Sequence, residues 1–244
     1  GCGFTQEIND GWGGDVFRTI NPADAILCGA GVTPFGNCAG NAGPSSNGGG
    51  QQAVHYLKTP TCGTNGGEQC DAGTDIYVRV YIKWPTGHGF GRDQEKSLNI
   101  TNNDSDIRWA NLQLNCGGGG TGTTSTASVA IQVIHANPGF CEYAPGFSVQ
   151  TNRWYFVEMH IRKNSAAGTA NGWVRLWMND CGTDGRSCGT SPTLRVNRQN
   201  VNYTPPERTI ETVWLEYWSN QSNGPGPLWD QLKVSTSGPI GFAE

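Results

Sequence analysis

Residues 152–164 and 171–179 read NRWYFVEMHIRKN and NGWVRLWMN, and both stretches alternate with a period of two. One set of alternate positions is apolar: Tyr155, Val157, Met159, Ile161, Val174, Leu176 and Met178. The other set combines charge with large rings: Trp154, Phe156, Glu158, His160, Arg162, Trp173, Arg175 and Trp177. A period of two is that of a β-strand with one buried face. The pattern predicts two strands whose second face is too rich in tryptophan to be plain solvent surface.

Similar alternation recurs at residues 76–84, 110–115, 127–134, 211–218 and 228–234, and two short apolar pieces at 15–20 and 52–57 are each long enough for one strand. Clusters of Gly, Asn, Pro and Ser separate these segments, and no segment keeps a helical period for more than two turns. We therefore expect an all-β fold, a two-sheet antiparallel sandwich. Its 244 residues fit one domain, with a loop-rich part at 1–73 and a core at 74–241.

The charge balance limits the partners of the chain. It carries 16 basic and 20 acidic residues, a net charge of −4. This balance gives no electrostatic reason to expect nucleic acid or an anionic membrane surface. No apolar run approaches the roughly 20 residues that span a bilayer, and no leader-like pattern opens the sequence. We expect a mature, exported protein without membrane insertion.

Nine cysteines also indicate export, since they lie in Gly-, Asn- and Thr-rich stretches and form no CxxC pair. Proximity suggests the disulfides Cys28–Cys38, Cys62–Cys70, Cys181–Cys188 and, over a longer loop, Cys116–Cys141, although sequence does not fix connectivity. These pairs would staple the Gly-rich N-terminal region as well as the core, and they persist only in an oxidising compartment. Cys2 is left over, free or joined to another chain. We expect an extracellular or cell-surface location.

Four Asn-x-Ser/Thr sequons permit N-glycosylation if the host performs it. Their asparagines are Asn99, Asn103, Asn202 and Asn220. Two oxygen-rich loops, at residues 102–106 and 179–184, are of a type that can hold Ca²⁺, but neither has the spacing of an EF-hand. No other cofactor or metal is expected.

The C-terminal two thirds of the chain resembles the jelly rolls of the concanavalin A-like lectin and glucanase superfamily, most closely the polysaccharide-lyase-like and laminin-G-like branches. The resemblance is carried by Trp154-Tyr-x-Val-Glu158, Gly172-x-x-x-Leu-Trp-x-Asn179 and Asp230-x-Leu-x-Val234, and it covers about residues 74–241. It implies a curved sandwich whose concave sheet holds an extended glycan.

A glycan suits the aromatic and charged face physically, because sugar C–H groups stack on indole rings and sugar hydroxyls need directional hydrogen bonds. We expect one open trough, to which several strands contribute. Its glycan-binding residues would be Arg79, Tyr81, Lys83, Glu158, His160, Arg175, Trp177, Trp214, Glu216 and Trp218.

Catalytic patterns of the superfamily are incomplete in this chain. Its glucanases use Glu-x-Asp-x-x-Glu, whereas here Val213 replaces the central aspartate between Glu211 and Glu216. Its alginate lyases use Gln-x-His, whereas here Gln132 and His135 are one residue too far apart to share a face without a bulge. The leading hypothesis is therefore a lectin-like glycan-binding domain without turnover.

Two alternatives stay open. The first is a polysaccharide lyase that cleaves an acidic glycan by β-elimination, in which Arg175 neutralises the carboxylate and His160 and Tyr81 exchange protons. The second is a structural coat or fibre subunit that self-associates through Cys2 or the Gly-rich N-terminal arm.

Overall fold

The computed structural model describes residues 75–101, 108–117, 122–204, 210, 212–219 and 226–242, together with the backbone of three earlier strands. All regular structure in these residues is β, as expected. The strands are β1 (Thr5–Asn9), β2 (Asp15–Thr19), β3 (Gly49–Tyr56), β4 (Asp75–Lys83), β5 (Phe90–Gly91), β6 (Glu95–Thr101), β7 (Arg108–Leu114), β8 (Thr123–Thr124), β9 (Thr126–Val133), β10 (Phe140–Gln150), β11 (Trp154–Arg162), β12 (Gly172–Asp180), β13 (Leu194–Val201), β14 (Thr212–Ser219) and β15 (Leu228–Ser235). No helix in the described residues is long and apolar enough to cross a membrane.

Two antiparallel sheets pack face to face as the predicted sandwich. The seven-stranded sheet has the order β1-β2-β15-β4-β11-β12-β13, and the six-stranded sheet has the order β10-β9-β7-β6-β14-β3. The short strands β5 and β8 form a separate pair. The expectation of a single domain over residues 1–244 stays a prediction.

The apolar rows predicted from the alternation form the layer between the sheets. Val157, Met159 and Ile161 of β11 and Val174 and Leu176 of β12 are fully buried there. The six-stranded sheet supplies the opposing residues, among them Leu98, Ile100, Ala110, Leu112, Leu114, Val129, Ile131 and Val133. Each buried aliphatic side chain contributes roughly 1.5–3 kcal/mol, so this layer is the main source of stability.

Two indoles link the sheets by hydrogen bonds across the core. The Nε1 of Trp229, on β15, donates to the carbonyl oxygen of Ser97 on β6 at 3.2 Å. The Nε1 of Trp84, just after β4, donates to the Glu95 carboxylate at 2.8 Å, and Nε2 of His88 lies 3.2 Å from the same carboxylate. Glu95 is therefore a buried charge with polar partners on two sides, as burial of an ion requires.

Two of the four disulfides predicted from proximity are confirmed. Cys116 is bonded to Cys141, and Cys181 is bonded to Cys188. The first ties the end of β7 to the start of β10, and the second closes the loop after β12. The predicted pairs Cys28–Cys38 and Cys62–Cys70, and the unassigned Cys2, lie outside the described residues.

Residues 236–242, which we call the C-terminal strap, lie over the outer face of the seven-stranded sheet. The two carboxylate oxygens of Glu158 accept hydrogen bonds from the backbone N–H groups of Ile240 (3.1 Å) and Gly241 (2.8 Å). Arg79 donates to the carbonyl oxygens of Gln231 and Gly241, and Phe242 packs edge-on against Phe156. The strap therefore covers part of the outer face of the seven-stranded sheet. The alternation of residues in the sequence identifies this face but does not predict that a segment covers it.

The strap yields a stability prediction. Glu158→Gln preserves the shape of the side chain but removes the charge and one of the two acceptor oxygens. We expect the free energy of unfolding to fall by about 2 kcal/mol, because hydrogen bonds to a buried charged group are among the stronger ones. Urea denaturation measures the change.

Glu142→Gln is the matched control. Glu142 is partly exposed, and its ion pair with Arg198 spans 3.9 Å, so its loss is expected to cost close to zero. Equal effects of the two substitutions would contradict the role assigned to the strap.

Candidate functional site

The single trough expected from the sequence is divided between the two sheets. Arg79, Tyr81 and Lys83 lie on β4, Glu158 and His160 on β11, and Arg175 and Trp177 on β12, all in the seven-stranded sheet. Trp214, Glu216 and Trp218 lie on β14, which pairs with β6 and β3 in the six-stranded sheet. The expected convergence is therefore wrong. A period of two identifies the two faces of a strand, but the sheet that a strand joins depends on contacts distant in sequence.

Within the seven-stranded sheet, burial separates the predicted residues further. Tyr81, Glu158 and His160 are at most 2% exposed, and Arg79 is 6% exposed. Lys83 is half-buried, with its Nζ 5.6 Å from the centre of the Trp154 ring. Trp177 and Arg175 are also half-buried. The part of this face under the C-terminal strap is packed surface rather than open groove.

His160 has a defined and apolar environment. Its Nε2 lies 2.6 Å from Oδ1 of Asp75, and its ring stacks on Tyr77 with centroids 4.1 Å apart and planes within 1°. Burial lowers the pKa of His160, while the hydrogen bond to Asp75 acts in the opposite direction. Burial dominates, so the imidazole is neutral and Nε2 is the donor to Asp75. Its Nδ1 is buried without a hydrogen-bond partner.

The three residues of the lyase alternative do not meet at one point. His160 and Arg175 are direct cross-strand neighbours. On β4, however, the neighbour of His160 is Tyr77, and Tyr81 lies four residues beyond it, about 13 Å along the strand. Tyr81 instead packs edge-on against Phe156. The structure therefore does not bring these three side chains together, and their catalytic roles stay untested.

The expected calcium loop at residues 179–184 uses its oxygen atoms internally. Oδ1 of Asn179 accepts from the backbone of Thr193 and Oδ1 of Asp180 from the backbone of Gly182, while Oδ2 of Asp180 bonds Arg153 at 2.6 Å. Oδ1 of Asp184 accepts from the Arg186 backbone. These contacts are those of a hydrogen-bonded turn. The other predicted loop, at residues 102–106, lies outside the described residues.

Among the four predicted glycosylation sites, Asn99 is fully buried on the central strand β6, and its glycosylation stays a prediction. Asn202 is half-buried and stays a prediction, whereas Asn103 and Asn220 lie outside the described residues.

Asn99 instead belongs to a row of amides across the outer face of the six-stranded sheet. In register, Trp214 of β14 faces Asn99, Asn99 faces Asn111 of β7, and Asn111 faces Gln132 of β9. Nδ2 of Asn111 donates to Oε1 of Gln132 at 2.9 Å. Directly opposed residues share one face of a sheet, so an indole and three amides form a continuous row.

A second row lies beside the first. Gln113 of β7 faces Lys96 of β6 on one side and Ala130 of β9 on the other. A bulge at Ser97 inserts one residue between Lys96 and Leu98 relative to β7. The extra residue lets Lys96 and Asn99 face outward together although their spacing is odd. Trp218 occupies the register position opposite Lys96, but the side chains of Trp218 and Glu216 lie outside the described residues.

We call this surface the amide face: Lys96, Asn99, Asn111, Gln113, Gln132 and Trp214. Several of its polar atoms are buried and have no hydrogen-bond partner: both side-chain polar atoms of Asn99, both of Gln113, Oδ1 of Asn111 and Nε1 of Trp214. Nearly all buried polar groups in proteins are paired. So many unpaired donors and acceptors on one face make the amide face the candidate site.

Sequence reasoning missed the amide face, although a signal was present. In residues 98–100 and 110–114, every position between the aliphatic residues is an amide: Asn99, Asn111 and Gln113. As the spacing of Gln132 and His135 implies, the two residues do not share a strand face: β9 ends at Val133, and His135 lies in the following loop. Only the glutamine belongs to the site.

The unpaired amides yield a second stability prediction. Asn99→Leu and Gln113→Met remove buried polar groups that lack partners, so each is expected to raise the free energy of unfolding by about 1–2 kcal/mol. Asn111→Leu is the matched control, since it breaks the bond to Gln132 and should not stabilise. Thermal and urea denaturation measure the three changes. Destabilisation by all three would show that the amides are satisfied in the free protein.

His160 yields a prediction of pH dependence. Its folded-state pKa lies below that of the unfolded chain, so below about pH 6.5 the unfolded state takes up a proton that the folded state does not. This contribution to stability is complete above pH 6.5 and is lost as the pH falls. His160→Gln should flatten the decline in unfolding free energy between pH 7 and 5.5, measured by urea denaturation. His135→Gln, in a loop, is the control, and an unchanged slope in His160→Gln would refute the assignment.

No protein-family model matches the sequence, and no curated protein matches it. Solved structures do match the fold. An endo-β-1,4-glucuronan lyase from the fungus Trichoderma reesei superposes with a TM-score of 0.53 at 12% identity, over 96% of this chain and 87% of the lyase. A β-glucanase catalytic domain of family GH131 from Podospora anserina has a TM-score of 0.38 at 12% identity, over 78% of this chain and 73% of that domain. The alginate lyase vAL-1 from a Chlorella virus has a TM-score of 0.41 at 12% identity, over 67% of this chain and 71% of the lyase. The match to the glucuronan lyase shows that the two chains share a fold, and the fold is the two-sheet antiparallel sandwich expected from the sequence.

Proposed function

We propose that the chain binds an extended polysaccharide along the amide face of its six-stranded sheet. One observation carries the proposal: amide and indole groups of neighbouring strands share this face, and many of their polar atoms have no partner among the described residues. A glycan supplies both hydroxyl donors and hydroxyl acceptors, and its ring faces pack on an indole such as that of Trp214. Groups that cost stability in the free protein would then contribute to binding.

An acidic glycan is the favoured class of ligand. Amide N–H groups donate well to carboxylates. The likeness of the whole fold to a glucuronan lyase also supports a uronate-containing ligand. The two disulfides support an oxidising, extracellular setting for such a partner.

Binding without turnover is the version that the described residues of this face support. β-Elimination needs a group that neutralises the carboxylate, a base and an acid. The amides suit the first role, but no described histidine lies on the amide face. Lyase activity is kept as the second candidate because the structural match to the glucuronan lyase covers nearly the whole chain.

Binding and cleavage are tested together on one panel of acidic and neutral polysaccharides. Calorimetry measures affinity, and absorbance near 235 nm measures the unsaturated product of elimination. Growth of that absorbance with wild-type protein would establish lyase chemistry and overturn the non-catalytic version. Absence of binding and cleavage across the panel would refute the proposed function.

Substitutions locate the binding surface. Trp214→Ala and Gln113→Met are each expected to weaken polysaccharide binding at least about ten-fold, since a lost contact of 1.4 kcal/mol has that effect. Gln231→Met, the same exchange at an exposed position of β15 in the opposite sheet, should leave this affinity unchanged. Because Gln113→Met is expected to stabilise the fold, lost binding in this variant is not explained by unfolding. Full affinity in both amide-face variants would exclude this face.

A further inference from the structure

A cluster of cations and an indole lies on the other side of the sandwich, towards the β12 side of the seven-stranded sheet. We call it the arginine–indole cluster: Arg162 of β11 with Trp173 and Arg175 of β12. Arg162 and Trp173 are cross-strand neighbours. The guanidinium carbons of Arg175 and Arg162 lie 4.1 Å and 5.0 Å from the centre of the Trp173 ring. Both distances are within the range of a cation–π contact.

The two guanidinium groups retain unused donors. Nε of Arg175 donates to Oδ1 of Asn197 at 3.0 Å, and no other hydrogen bond of Arg175 exists in the described part of the chain. Arg162 is exposed and makes no hydrogen bond or ion pair to a described residue. Asp75 is the register partner of Arg162, but its Oδ1 is hydrogen-bonded to His160. The cluster therefore presents several guanidinium N–H donors that have no acceptor among the described residues.

Contact with the Trp173 indole also restricts the two guanidinium groups before any ligand binds. A free arginine side chain loses rotamer entropy when a ligand fixes it. Here Trp173 restricts both guanidinium groups, and Asn197 fixes the plane of one of them. Preorganised guanidinium donors bind planar anions such as carboxylates in a bidentate manner.

Aromatic and apolar side chains extend the cluster along the sheet. Tyr77 and His160 form the stacked pair described above, and the Trp177 ring lies 6.4 Å from each of them. Leu194, which pairs with Trp177, is 45% exposed. Arginine next to partly exposed rings is the combination that suits a sugar bearing an anionic substituent, since the rings contact its C–H groups and the guanidinium its charge.

We propose that the arginine–indole cluster is a second binding site for acidic polysaccharide, on the face of the sandwich opposite to the amide face. Charge complementarity favours this occupant, because two guanidinium groups stand together and neither forms an ion pair with a described residue. A nucleic acid is disfavoured, because its binding depends on many phosphate contacts and the cluster supplies two cations. The ligand class rests on the proposed function, whereas the site itself does not.

Calorimetry with a short β-1,4-linked glucuronate oligosaccharide tests the proposal, with a neutral β-glucan oligosaccharide of equal length as the uncharged probe. Wild-type protein is expected to bind the uronate at two sites per chain. Arg162→Gln/Arg175→Gln keeps the side chains polar at a half-exposed surface and is expected to weaken one site about ten-fold or more, leaving the other unchanged. Gln113→Met should affect the complementary site only.

The outcomes separate the two proposals. Loss of one site in the arginine variant and of the other in Gln113→Met supports both. Unchanged stoichiometry and affinity in the arginine variant overturn the second site and leave the amide face intact. Loss of binding in the arginine variant alone supports this site and rejects the amide face. Equal binding of the neutral probe at this site, or no uronate binding by the wild type, overturns the proposal.

Discussion

The pairing of β6 with its neighbours determines which side chains of the six-stranded sheet face the core and which face outward. The bulge at Ser97 adds one residue on β6, so Glu95 and Leu98 face the core while Lys96 and Asn99 face outward. Without the extra residue, one end of the strand would point to the wrong side of the sheet. The carboxylate that the bulge sends inward is met by the Trp84 indole and His88. The same irregularity therefore satisfies a buried charge and assembles the outward row of amides.

The two outer faces of the sandwich differ in how their polar groups are paired. On the seven-stranded sheet, the backbone of the C-terminal strap satisfies Glu158 and Arg79. On the six-stranded sheet, Asn99 and Gln113 are equally buried but unpaired. Two buried polar surfaces thus have opposite energetic characters: the first stabilises the chain, and the second contains unpaired buried groups that cost stability. This contrast, rather than the abundance of tryptophan, marks the candidate site.

Local patterns predicted the parts of the fold that depend on local chemistry. Alternation identified β4, β7, β9, β11, β12, β14 and β15, and proximity identified the disulfides of Cys116 and Cys181. Strand β6 escaped notice because all of its residues are buried and its polar residues interrupt any apolar run. Strand β10 escaped notice because Pro145 and Gly146 interrupt it. The sheet to which β14 belongs was not predictable, since its partners lie more than a hundred residues earlier in the sequence. The site was missed for the same reason, as its amides come from three strands and its indole from a fourth.

The sandwich geometry limits how two surfaces could act on one polymer. Packed sheets are separated by about 10 Å, and side chains extend further on each outer side. A stiff polysaccharide lying along the amide face cannot also reach the arginine–indole cluster without passing around the edge of a sheet. Occupation of both surfaces would therefore engage two polymer segments. The rigid protein core, rather than a flexible linker, would set the distance between the two bound segments and so the effective concentration of each segment near the other. The fold would then hold neighbouring segments of an acidic polysaccharide together, a consequence that depends on rigid placement and needs no conformational change.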